Sequence, residues 1–168
     1  MRIKLLLSAL LLTVALSAGC GQQAAETLAD AASIKETVVV ADPEAAVEAI
    51  YDSLEEYEAQ PLTDWRLEEK LGIRQSDVEG YYGKISNPNS GLCDVVIIRP
   101  KPETREAVRL SLGKYIERRI AQFKDYDILN AYAIAQGAVA FEQGDYVILL
   151  MLQDNESARN IIDRYFPL

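Results

Sequence analysis

Asp94-Val95-Val96-Ile97-Ile98-Arg99 is the stretch that decides the fold. Four β-branched residues follow one another with no polar alternation. That is the pattern of a strand buried on both faces or at the centre of a sheet. Pro100 and Pro102 stop the run, and Asn87-Pro88-Asn89-Ser90-Gly91 ahead of it is a turn signal. A second apolar run, Tyr146-Val147-Ile148-Leu149-Leu150-Met151-Leu152, has the same character. Ala138 to Glu142 precedes it across Gln143-Gly144, so the two are expected to form a β-hairpin. Val78 to Ile85, with Tyr81 and Tyr82, reads as an edge strand.

Helical spacing fills the intervals. Asp42 suits a cap and Pro43 a first helical position. Ala46, Val47, Ile50, Leu54 and Tyr57 then recur on one face of a helix expected over 43–58. Residues 62–73 are ambiguous; Leu67 and Leu71 hint at a short helical piece. A long helix over 102–123 carries Val108, Leu112, Tyr115, Ile116, Ile120 and Phe123 as one stripe, opposite Glu103, Arg105, Glu106, Arg109, Glu117 and Arg118. A short helix within 126–136 and a last one from Asp154 or Asn155 complete the order. No internal repeat is evident. Few strands among several amphipathic helices imply an α+β fold, a small mainly antiparallel sheet packed by helices, in one domain over 43–168.

The amino terminus gives an address. Arg2 and Lys4 precede an uncharged, mostly apolar run from Leu5 to Leu16. That length fits the h-region of a signal peptide and falls short of the roughly 20 residues a spanning helix needs. Leu16-Ser17-Ala18-Gly19-Cys20 follows and resembles the lipobox of bacterial lipoproteins, although Ser17 stands where Leu is commonest. The resemblance implies a signal peptide over 1–19, removed before Cys20, and a diacylglyceryl group on the Cys20 thiol. Two acyl chains hold a protein stably where one holds it marginally. The expected location is therefore the extracytoplasmic face of a cell membrane, by lipid anchor. Residues 20–42 read as a flexible tether, since 21–37 lack aromatics and have few large apolar groups. A coil of about 20 residues reaches on the order of 25 Å. Val38-Val39-Val40 is expected to open the folded part as an extended stretch.

The segment from about 43 to 166 resembles the small exported bacterial domain of unknown function 4358. The resemblance rests on the lipobox and linker, on Val95-Val96-Ile97-Ile98 before a charged helix, and on Gln143-Gly144-Asp145-Tyr146-Val147-Ile148-Leu149 with a helix after it. It implies no known activity and brings no functional residues.

Composition narrows the chemistry. Net charge is −9 over 168 residues, and loss of residues 1–19 with Arg2 and Lys4 takes it to −11. Such a chain is a poor nucleic-acid binder, because phosphate contacts need Lys and Arg. There is no histidine, which removes Ser-His-Asp and Cys-His catalysis and most zinc sites. No phosphate loop occurs and no cofactor is expected. Of two cysteines, Cys20 is assigned to lipid, so Cys93 has no partner for an internal disulfide and reads as a small packed residue. Glu55, Glu56 and Glu58 suit a helix face better than a calcium loop. Tyr81 and Tyr82 lie next to the Asn87–Gly91 turn in this reading. One of them is expected to face outward, with Lys84, Arg99 and Lys101 as a small basic spot nearby. The leading expectation is a non-catalytic binding module of the cell envelope that takes a partner protein or wall component on a sheet edge or loop. The alternatives are a carboxylate-dependent envelope hydrolase and a small-solute-binding lipoprotein.

Overall fold

The computed structural model describes residues 40–54 and 58–166. The signal peptide, Cys20 and most of the tether lie outside the described residues, as do Glu55, Glu56 and Tyr57.

The fold is α+β, with five strands in an open antiparallel sheet ordered β1-β2-β3-β5-β4. The strands are β1 (Ala59–Pro61), β2 (Val78–Ser86), β3 (Asp94–Pro100), β4 (Val139–Gln143) and β5 (Tyr146–Met151). The two apolar runs are the central strands, paired from Asp94↔Met151 to Ile98↔Val147. Their side chains alternate between two cores. Val96, Ile98, Val147, Leu149 and Met151 enter one core, while Val95, Ile97, Ile148 and Leu150 enter the other. Full burial of one such side chain contributes about 1.5–3 kcal/mol. The expected hairpin joins β4 to β5 through Gly144-Asp145, with Gly144 at φ +56° in the first turn position, a conformation glycine adopts without strain.

Helices cover both faces. On one lie α1 (Pro43–Asp52) and α5 (Asn155–Tyr165), through Ala46, Val47, Ile50, Ala158, Ile161 and Ile162. Asp42 and Asp154 cap them by accepting from the amides of Ala45 and Ser157. On the other face lie a short helix α2 (Asp64–Arg66), continued by a π turn over Leu67–Leu71, then α3 (Arg105–Phe123) and α4 (Ala131–Gln136). Leu67 and Leu71, the hint in the ambiguous segment, are fully buried there. The Asp42 amide donates to the Tyr165 carbonyl, and Gln143 Nε2 donates to the Phe166 carbonyl. The chain therefore enters the fold at the hairpin end of the sheet, and Asp94 marks the opposite end.

Three expectations change. The first helix ends at Asp52, not 58, because the Ser53 amide closes back on the Ile50 and Tyr51 carbonyls. The helix expected from 102 begins with a 3-10 turn over Pro102–Thr104 and becomes α-helical at Arg105. Finally, β2 is not the edge strand along its whole length. Ala59-Gln60-Pro61 pairs with Ser86, Ile85 and Lys84, a strand too short and too polar to leave a periodic signal.

Gly83 sits at φ +138°, and a Cβ there would meet the Val95 carbonyl oxygen at 2.1 Å. Gly83→Ala is expected to lower stability by about 3 kcal/mol, since the backbone of β3 must move. Gly113, inside α3 with open space where a Cβ would stand, gives the opposite sign. Gly113→Ala is expected to raise stability by about 0.5–1 kcal/mol. Urea unfolding of the two variants checks both.

Candidate functional site

β1 is short for a reason legible in its residues. Pro61 points its missing amide to the outer side, where a further strand would otherwise bond, and Leu62 turns inward to a site where it is 8 % exposed and ends the strand. Its amide makes one last bond to the sheet, to the Gly83 carbonyl at 2.8 Å. Thr63 then caps α2 by accepting from the Arg66 amide. Beyond Gly83 the outer side of β2 has no strand beside it among the described residues. Backbone polar groups alternate in direction along a strand. Those of Gly83 face outward to Leu62, so those of Tyr81 face the same open edge while Tyr82 faces β3. At Glu79 the register with β3 slips, a bulge that bends this end of the strand.

The open edge lies between two concavities. One, of about 420 Å³, is lined by Val47, Glu48, Pro61, Tyr82 and Lys84. The other, of about 460 Å³, is lined by Gln75, Ser76, Glu79 and Tyr81. Neither tyrosine faces solvent outright. Tyr81 packs on the core under α3, Tyr82 on the core under α1 and α5. The Tyr81 hydroxyl donates to Asp64, and this bond, more than burial, raises its pKa above the usual tyrosine value. Both tyrosines sit mid-strand, about 16 Å from the Asn87–Gly91 turn that the sequence placed them beside.

Two of the three cations of the expected basic spot, Lys84 and Arg99, are neutralised by acids on other elements, which leaves Lys101 alone of the three without an ion pair among the described residues. Lys84 binds Glu48 at 2.8 Å, and Arg99 lies between Glu79 (3.0 Å) and Asp145 (3.7 Å). Glu58, of the acidic trio, accepts from the Ser90 hydroxyl at 2.7 Å. Among the described residues no group of three potential ligands is placed to hold a metal ion. None of their helices is long and apolar enough to cross a membrane. Cys93 is 1 % exposed; burial, and then the neighbouring Asp94, push its thiol up to about 12.

A buried polar cluster escaped the sequence reading. Asp94 is fully buried at the start of β3, on the face under α3. Arg119 meets Oδ2 of Asp94 with Nε and Nη2 at 3.1 and 3.0 Å, and Nη2 also reaches Oδ1 at 3.3 Å, a charge-assisted contact. Ser86 donates to the same carboxylate from its amide (2.7 Å) and hydroxyl (2.5 Å), and Tyr115 donates at 2.6 Å. Arg119 Nη2 also reaches the Ser86 carbonyl at 3.0 Å. Burial opposes the Arg119 charge, yet the carboxylate and the Tyr115 hydroxyl raise its pKa on balance, so the guanidinium stays charged. Two signals marked the cluster. Tyr115, Arg119 and Phe123 fall at i, i+4 and i+8 on one helix stripe, and Asp94 shares the face of Val96 and Ile98.

Arg119→Met alone is expected to cost about 3–5 kcal/mol, because it leaves a buried carboxylate unpaired. Combined with Asp94→Asn the loss should fall well below the sum of the single losses, by about 2 kcal/mol or more in urea unfolding. Additive losses would contradict a direct pair. In a Cys20→Ser chain at pH 8, iodoacetamide is expected to label Cys93 only on unfolding.

Residues 58–152 match the model of DUF4358, a domain of unknown function. The match takes in the whole sheet, α3 and α4, and is narrower than the resemblance over 43–166, leaving out α1 and α5. No curated protein and no solved structure matches the chain.

Proposed function

This chain belongs to the DUF4358 family, and on that premise we propose that it is a lipid-anchored, extracytoplasmic, non-catalytic docking module. Cys20 carries the diacylglyceryl anchor, and residues 20–42 hold the domain off the membrane. The domain takes an extended polypeptide of an envelope partner along the outer edge of β2, from Val78 to Tyr82. The observation that carries the reading is that edge, which β1 leaves uncovered between two concavities. Addition of a strand supplies main-chain hydrogen bonds for affinity and pockets for alternate side chains. Here Tyr81 and Tyr82 border one pocket on each side. β4 also has an outer edge, but Arg159 lies over Phe141 at 3.9 Å and Glu142 pairs with Arg105 at 3.2 Å. Charged groups of this kind keep an edge from pairing.

The hydrolase alternative needs two facing carboxylates. Among the described residues Asp94 is the one buried acid, and both its oxygens accept from Ser86, Tyr115 and Arg119.

Replacing Cys20 by Ala is expected to abolish incorporation of labelled fatty acid and release the chain from the membrane fraction. Retention of both would contradict the anchor. A photo-crosslinking residue at Glu79 is expected to capture an envelope protein in cells. Tyr81→Pro, which removes an outward amide, should reduce that capture about tenfold, while Tyr81→Phe retains it. Capture no greater than from the same group at Leu110, on the surface of α3, would refute the edge as the docking site.

A further inference from the structure

The strongest unassigned feature is a concavity of about 250 Å³ between α3 and the Leu67–Leu71 turn, at the end of the sheet remote from the chain entry. Its lining includes Arg119, Arg118, Lys70, Gln122, Tyr115 and Glu69. We infer that this concavity binds the carboxylate of a small organic anion, with Arg119 at its floor and Arg118 and Lys70 at its rim.

Arg119 is 6 % exposed and held rigidly. Its Nε and Nη2 are engaged by Asp94, Tyr115 and Ser86. Its Nη1 carries two hydrogens, and one acceptor is present for them among the described residues, Gln122 Oε1 at 3.1 Å. A donor with a free hydrogen thus borders the cavity, fixed in direction before any ligand arrives. Arg118 is fixed as well. Its Nη2 donates to the Lys70 carbonyl at 2.6 Å, and its guanidinium lies 5.7 Å from the centre of the Tyr115 ring. Lys70 Nζ rests 5.2 Å from the centre of the Trp65 ring, within reach of the rim.

Charge and size select the ligand. Arg119 is balanced by Asp94 beneath it, and of the remaining lining charges Lys70 and Arg118 exceed Glu69 by one. A single positive excess, in a chain of net charge −9, suits one carboxylate better than a dianionic phosphate. The remaining Nη1 hydrogen of Arg119 and the remaining donors of the Arg118 guanidinium can reach the oxygens of one planar carboxylate. Ile85 and the Tyr115 ring add an apolar wall for a short carbon skeleton. The volume is below the 300–1,000 Å³ typical of drug-sized ligands, which excludes a nucleotide or a sugar chain.

The test uses the full chain in detergent, with Trp65, its one tryptophan, as reporter beside Lys70. Butyrate, a monocarboxylate, is expected to give a saturable change in fluorescence beyond that of sodium chloride at matched ionic strength, confirmed by calorimetry. Arg118→Gln and Lys70→Gln should each weaken it about tenfold or more, and Glu69→Gln should tighten it. All three positions are exposed, so unchanged melting curves are expected to accompany these shifts. No saturable response to butyrate, an unaltered response in Arg118→Gln, or inorganic phosphate binding as tightly as butyrate would each overturn the assignment.

Discussion

The pairing of Arg119 with Asp94 is the contact on which the arrangement of the molecule depends. Burying two charges costs several kcal/mol per ion after relaxation, and their attraction offsets this only where further hydrogen bonds complete the geometry. Here Ser86 supplies two donors and Tyr115 a third. The cluster joins three elements at one point: the end of β2, the start of β3 and the last turns of α3. An amphipathic helix of 19 residues, about 28 Å long, can slide or roll on an apolar sheet. A directional pair near its far end fixes one register.

That fixation bears on the exposed strand. β2 has β1 beside only its last three residues, its other end carries a bulge, and Gly83 comes close to Val95 just before the paired segment. A strand covered on one side along most of its length would ordinarily fray. Ser86, held by Asp94 and Arg119, pins one end, and the Tyr51 hydroxyl, donating to the carbonyls of Lys84 and Cys93, ties β2 to β3 beside it. An edge that is open yet rigid lowers the ordering cost of receiving a partner strand, which is the general benefit of preorganisation.

The sheet centre was legible because β3 and β5 are long, β-branched or leucine-rich and bounded by turn residues. The helix stripes were legible at Ala46, Val47, Ile50, Val108 and Leu112 for the same periodic reason. What escaped was short or polar. Ala59-Gln60-Pro61 has no pattern to read, and only the complete pairing shows that it caps part of β2. One of Tyr81 and Tyr82 was expected to face outward from the strand, but helices cover both faces of the sheet and each tyrosine packs on a core, which a sequence does not say. Lys84 and Arg99 looked like a basic spot because their acids, Glu48 and Asp145, are far away in sequence. Arg119 was the instructive omission. A charged residue on an apolar stripe asks for a buried partner, and Asp94 heads the most apolar strand of the chain.

Docking of a partner strand requires that the outer side of β2 stands open in solution. Residue-resolved amide hydrogen exchange on the full chain in detergent tests this directly. If the edge is open, the Tyr81 amide exchanges orders of magnitude faster than its neighbour Tyr82, whose amide is bonded to β3. Equal, strong protection at Tyr81 and Tyr82 would mean that something already covers the edge, and the docking account would fail.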